Sequence, residues 1–257
     1  MKAKLVALAV ALLASGAAMS QTAQQGQTAQ TPAPAAADTP SPISYNIGIV
    51  TDYRFRGISQ SRRLPALQGG VDFTHGSGLY VGLWASSVRI IRDAGGDGYV
   101  ELDIYGGYRG KVGESFAYDI GVLRYQYPNA GLAVSPNTTE IYGAMTFGPA
   151  TIKYSHGVTD ETFGVGNSRG SGYLEAAATF DTGYWGLSIT PHIGHQRFRN
   201  NSVASYTDWS LGVSKEIMAG LTGSFTVVGT NADDTFYTVG GKNLGKTGVV
   251  LGVKYAF

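Results

Sequence analysis

The 257-residue chain has no cysteine. That excludes a disulfide framework, a thiolate nucleophile and a Cys-ligated metal, and it suits a chain that crosses an oxidising compartment unfolded. Charge is scarce: Asp, Glu, Lys and Arg make up 14% of the residues, against roughly 25% in ordinary soluble domains. Histidine occurs four times. His192 and His195 have opposite parity in one alternating segment, so they do not jointly hold a metal there. Beyond the first twenty residues no apolar run approaches the ~18 residues of a membrane-spanning helix.

The first twenty residues have their own grammar. Lys2 and Lys4 precede an apolar stretch over 5–18, and Ala18-Met19-Ser20 offers small-x-small spacing. Residues 1–20 read as a secretory signal peptide cut after Ser20. Without it, 17 basic residues stand against 18 acidic ones, which gives no electrostatic case for nucleic acid. Residues 21–43 are rich in Gln, Thr, Ala and Pro. They cannot bury a core and read as a disordered periplasmic linker.

What the chain does have is glycine, at 37 residues, and tyrosine, at 16. From 44 to 257 the dominant period is two. Twelve strands are expected, at 44–58, 66–75, 79–89, 98–109, 115–127, 138–147, 150–159, 171–180, 185–197, 206–217, 221–230 and 247–257. Most have about the ten residues a tilted strand needs to cross a bilayer. Tight turns follow the even strands, as at His75-Gly76-Ser77-Gly78 and Gly148-Pro149. Longer polar loops follow the odd ones, at 59–65, 90–97, 128–137, 160–170, 198–205 and 231–246. This alternation is that of an outer-membrane barrel, with short periplasmic turns and long external loops. The expected fold is therefore all-β, a transmembrane antiparallel β-barrel of the outer-membrane type with about 12 strands over 44–257.

The two faces agree. Trp185, Leu187, Ile189 and Ile193 share one parity, and Gly186, Ser188, Thr190, His192 and Gly194 the other. The apolar parity suits lipid and the polar one a lumen. The fifth strand fits imperfectly, because its outward parity includes Arg124. Either a bulge near Leu123 resets it, or Arg124 snorkels at the interface. The last strand alternates Val249, Leu251, Val253, Tyr255 and Phe257. That pattern resembles the C-terminal signal read by barrel-assembly machinery, which implies an assembly role for Tyr255 and Phe257.

The stretch Thr51-Asp52-Tyr53-Arg54-Phe55-Arg56-Gly57-Ile58-Ser59-Gln60 interleaves charges with rings. As the outer half of the first strand it would turn Tyr53 and Phe55 to lipid and Asp52, Arg54 and Arg56 to the lumen. By the same parity Asp72, Glu101, Asp103, Arg109, Asp119, Glu140, Lys153, Glu175 and Lys254 point inward. These charges read either as a selectivity constriction or as an ion-pair network that fills a narrow lumen. Tyr80, Trp84, Tyr105 and Tyr142 share the inward parity, as a stacking track for solute or as packing against glycines and arginine stems.

No catalytic set is legible. Gly166-Asn167-Ser168-Arg169-Gly170 matches Gly-x-Ser-x-Gly but lacks the strand–turn–helix context its chemistry needs. No metal site or cofactor is expected, and Gly106-Gly107-Tyr108-Arg109-Gly110 has no helix N-terminus to receive a phosphate.

TDYRFRGISQ, the following Pro65-Ala66-Leu67-Gln68-Gly69-Gly70-Val71-Asp72-Phe73 and Gly78-Leu79-Tyr80-Val81-Gly82-Leu83-Trp84 together resemble the start of the TorF-like porin family of proteobacteria. The resemblance covers 44–257 and implies a barrel in the outer membrane of a Gram-negative bacterium. The function expected is passive diffusion of small hydrophilic solutes through a charged lumen. Its partners would be outer-membrane lipid, lipopolysaccharide, the assembly machinery and the solutes. The alternatives are a plugged barrel with a structural or adhesive role, a barrel enzyme and, more distantly, a soluble ligand-binding barrel.

Overall fold

The computed structural model describes residues 41–113 and 115–257. The signal peptide expected at 1–20 and the linker expected at 21–43, up to its last three residues, lie outside these, as does Glu114. Twelve strands form the wall: β1 (Ile43–Val50), β2 (Ala66–Thr74), β3 (Leu79–Ser87), β4 (Val100–Val112), β5 (Phe116–Gln126), β6 (Thr138–Phe147), β7 (Ala150–Gly157), β8 (Gly172–Ala178, continued by Phe180–Asp181), β9 (Leu187–Arg197), β10 (Tyr206–Met218), β11 (Leu221–Thr230) and β12 (Gly248–Ala256). Each pairs antiparallel with its sequence neighbour, and β1 pairs with β12 to close the ring. Closure leaves no free sheet edge, the condition for a sheet to sit in lipid.

Turns at 75–78, 113–115, 148–149, 182–186 and 219–220 gather at one end. Loops L1 (51–65), L2 (88–99), L3 (127–137), L4 (158–171), L5 (198–205) and L6 (231–247) gather at the other. Outward side chains along the wall are apolar and exposed, among them Ile47, Leu83, Ile120, Ile152 and Leu251. In water such a continuous apolar surface would be a liability; against acyl chains it is the expected finish. The turn end carries aromatic residues, with Tyr45 and Tyr255 both stacked on Phe257.

Inside, large rings sit over glycines of neighbouring strands. Tyr105 covers Gly82, Tyr80 covers Gly107, Tyr142 covers Gly121 and Tyr173 covers Gly194, each so closely that a Cβ on the glycine would overlap the ring. The high glycine and tyrosine contents are two halves of one packing device.

Two expectations are settled by the register. No bulge resets β5: its pairing with β4 and β6 is continuous through Leu123. Arg124 points outward near the loop end, where it donates to Thr139 Oγ1 at 3.0 Å. The first strand, by contrast, is shorter than the expected 44–58. It ends at Val50, and TDYRFRGISQ leaves the wall.

Candidate functional site

L1 turns into the barrel instead of rising above it. Within it Arg54–Phe55 pairs with Ile58–Ser59 as a miniature hairpin. Its two-residue turn is Arg56-Gly57, with φ of +46° and +79°, the left-handed pair that a tight hairpin needs. Gly57 is obligatory: an added Cβ would overlap Thr230 and come within 2.8 Å of the Asp208 Cβ. Arg56 adopts a conformation costly for a non-glycine residue, and its side chain supplies the compensation.

Arg56 is 1% exposed. Its guanidinium grips Glu140 on β6 with two bonds, Nη2 to Oε2 at 2.7 Å and Nη1 to Oε1 at 3.0 Å. Nη1 also donates to Gln196 Oε1 on β9 at 2.6 Å. The group lies 4.3 Å from the ring centre of Tyr173 on β8 and also over the rings of Phe55 and Phe163. One side chain thus ties the loop to three wall strands. Burial alone would lower the Arg56 pKa; the facing Glu140 carboxylate outweighs it and holds the pKa above its ordinary value.

The rest of L1 is fixed as firmly. Asp52 accepts from Arg54 Nε at 2.6 Å and from Ser59 Oγ at 2.6 Å. Arg54 Nη1 donates to the carbonyls of Gly57 at 2.8 Å and Lys246 at 3.0 Å, joining L1 to L6. The Tyr53 hydroxyl donates to Glu101 Oε1 at 2.6 Å, and Tyr127 donates to Oε2 at 2.8 Å. Burial, then the charges of Glu101 and Asp103, pushes the Tyr53 phenol well above its ordinary range, so it stays a neutral donor. Tyr53 and Phe55 are therefore not lipid-facing. They pack inside, Tyr53 against Trp84 and Phe55 against Tyr125 and Phe163.

Nearer the turn end Tyr105 donates to Asp72 at 2.5 Å and Tyr80 to Asp119 at 2.6 Å. Tyr80 also meets Tyr142 hydroxyl to hydroxyl. Arg109 stacks on Tyr80 at 4.2 Å and Lys153 on Tyr142 at 4.6 Å. These tyrosines are buried against strands and cations, the packing alternative rather than an open stacking track. Glu175 accepts from His192 at 3.2 Å, and Tyr173 donates to Asp208 at 2.9 Å. Asp103 is buried, with Oδ1 unpartnered among the described residues. The inward charges expected from parity thus all lie within the barrel. Asp52, Arg54 and Arg56 arrive there on the infolded loop rather than on a wall strand.

Around the ring, inward residues from Gln68 on β2 through Glu101, Tyr125 and Glu140 to Asp208 and Val250 are buried. Below this level Asn46, Asp72, Thr190, Ser224 and Lys254 are half-exposed. The lumen is occluded at the level of L1; toward the turns its β1, β2, β9, β11 and β12 side is polar and half-exposed, while Tyr80 and Asp119 fill the β3–β5 side. Among the described residues the buried ionisable side chains, histidine and tyrosine aside, are seven acidic (Asp52, Glu101, Asp103, Asp119, Glu140, Glu175, Asp208) against three basic (Arg54, Arg56, Lys153).

Several residues of this network are not among those the sequence singles out: Tyr53, Phe55, Tyr127, Phe163, Tyr173, Gln196 and Asp208. Tyr173, Gln196 and Asp208 carried a usable signal, since each shares the inward parity of a neighbour such as Glu175, His192 or Ser210. Ser168 is also accounted for. Its hydroxyl donates to the Val165 carbonyl at 2.6 Å and accepts from Thr162 N at 2.8 Å, as a brace of L4.

A family model described as "Bacterial protein of unknown function (Gcw_chp)" matches residues 34–257. The chain belongs to the Gcw_chp family. No curated protein matches this Gcw_chp chain. Among solved structures its barrel is similar to the KdgM porin, with a TM-score of 0.55 at 10% identity, covering 84% of this chain and 98% of that one. It is similar to the NanC porin to the same TM-score at 11% identity, covering 83% and 98%. At such identity the likeness establishes the fold: the Gcw_chp barrel has the architecture of a twelve-stranded outer-membrane porin.

Proposed function

We propose that the protein is a porin-like channel of the bacterial outer membrane, held shut by its own first loop. Small hydrophilic solutes diffuse through the lumen when that loop yields. The observation that carries this reading is Arg56, which stands inside the lumen and ties L1 to β6, β8 and β9. The porin architecture and the TorF-like resemblance of TDYRFRGISQ support the channel, and the polar side of the lumen supports hydrophilic cargo. A KdgM porin has been solved in complex with disordered oligogalacturonate, an acidic sugar oligomer. The acidic excess in this lumen favours neutral or cationic solutes instead. In this reading Tyr255 and Phe257 serve recognition by the assembly machinery, and lipid and lipopolysaccharide surround the wall.

A second reading, a permanently plugged barrel with a structural or adhesive role, draws on the same burial. Disrupting one partner of a buried ion pair costs about 3–5 kcal/mol, enough on its own to hold an open state below about 1%, and the other contacts of L1 add to it. Liposome swelling in neutral pentoses separates the two. The channel predicts slow swelling in the native protein that accelerates when L1 is loosened by Gly57→Ala. Absence of swelling in both would leave the plugged barrel.

A further inference from the structure

The outer loops line a partly open cavity that the channel reading does not use. All six contribute, through Phe55, Ile91, Leu132, Val165, Phe198 and Tyr237, around a volume of about 400 Å³. That is within the range of small-molecule sites, roughly 300–1,000 Å³. Two properties distinguish it from a packing defect. None of its lining residues is charged, although the lumen just beneath is crowded with ions. It also presents polar atoms toward its interior. Gln60 and Tyr206 both line it, and each is only 5% exposed. The amide nitrogen of Gln60 is spent on the Ile58 carbonyl at 3.1 Å. Its Oε1 and the Tyr206 hydroxyl make no side-chain hydrogen bond among the described residues, and neither atom is sealed off from the cavity. An open acceptor and an open hydroxyl in an otherwise apolar, uncharged cavity are the few placed polar groups by which such sites orient a ligand.

We propose that this cavity binds a neutral, largely aromatic small molecule carrying a hydroxyl or amide group. Neutrality follows from the lining. Aromatic character follows from the ring cluster at one wall, where Tyr206 meets Tyr237 edge-on at 5.2 Å and Tyr237 meets Phe236 at 5.0 Å. The floor is Phe55 and Ile58, the apolar side of the same hairpin whose other side holds Arg56. The site goes beyond the channel reading and stands or falls separately from it.

The test is calorimetric titration of the full-length protein in amphipol with 2-naphthol, and with 2-naphthalenesulfonate as the charged probe of the same ring system. We expect saturable one-site binding of 2-naphthol and at least ~10-fold weaker binding of the sulfonate. Tyr206→Phe should weaken 2-naphthol by about 3- to 10-fold, the loss of one hydrogen bond, and Val165→Asp should abolish binding. Heat-dependent gel mobility certifies folding; if Val165→Asp fails it, Tyr206→Phe carries the comparison. Absence of saturable 2-naphthol binding, equal affinity for the two probes, or an unchanged affinity in Tyr206→Phe would overturn the proposal.

Discussion

Arg56 and Glu140 are 84 residues apart in sequence, and their side chains meet 2.7 Å apart inside the barrel with almost no exposure. The pair joins the tip of an infolded loop to a wall strand and, in the proposed channel, decides whether the lumen is open.

Charge exchange tests that pairing. Arg56→Glu sets two carboxylates against each other in a buried site and should loosen L1. Its urea midpoint should fall by an amount corresponding to about 3–5 kcal/mol. Adding Glu140→Arg restores opposite charges and should recover most of the loss. Equal destabilisation in the single and double variants would show that the ion pair is not what holds the loop.

Gly57 supplies an orthogonal test, because it alters the hairpin without touching charge. With φ at +79° and no room for a Cβ beside Thr230 and Asp208, Gly57→Ala should cost about 1–2 kcal/mol from the backbone conformation alone, with the steric overlap adding to it. The barrel should still show its heat-dependent mobility shift. Loss of that shift would mean that L1 is needed to build the wall rather than to close it.

Selectivity should follow the lumen charge. With seven acidic and three basic side chains buried inside, a channel opened by Gly57→Ala should prefer cations in a KCl gradient. Adding Asp103→Asn should move the reversal potential toward zero. An anion preference would show that permeating ions pass somewhere other than this cluster.

Assembly should depend on the last residues. Phe257 stacks on Tyr45 and Tyr255, with ring centres at 5.7 and 5.4 Å, and it is exposed toward the surrounding phase. Phe257→Ala should lower the amount of folded protein in outer-membrane fractions while leaving refolding in detergent nearly intact. Equal loss in both assays would make the role structural.

The wall was legible in the sequence because its rule is local. Alternation within ten residues assigns each side chain a face, and loop lengths alternate along the chain. The strands observed at Ala66–Thr74, Leu79–Ser87 and Thr138–Phe147 fall within a few residues of the periodic pattern. The infolded L1 was not legible, because Asp52 to Arg56 continue the period of β1 although the backbone has left the wall. What decides the departure is tertiary. Glu140 and Gln196 lie 84 and 140 residues away, and Glu101 waits for the Tyr53 hydroxyl 48 residues on. The one local sign was Arg56-Gly57 in the middle of an apparent strand, where glycine marks a turn. Rings and charges alternate in TDYRFRGISQ because both find partners inside the lumen, not because one set faces lipid.

The most direct measurement is single-channel recording in planar bilayers of the native protein beside Arg56→Ala. The account predicts a native protein that is closed for most of the record, and an Arg56→Ala variant that shows long-lived openings of uniform conductance. A native protein that conducts steadily, with a conductance and open time that Arg56→Ala leaves unchanged, would contradict it.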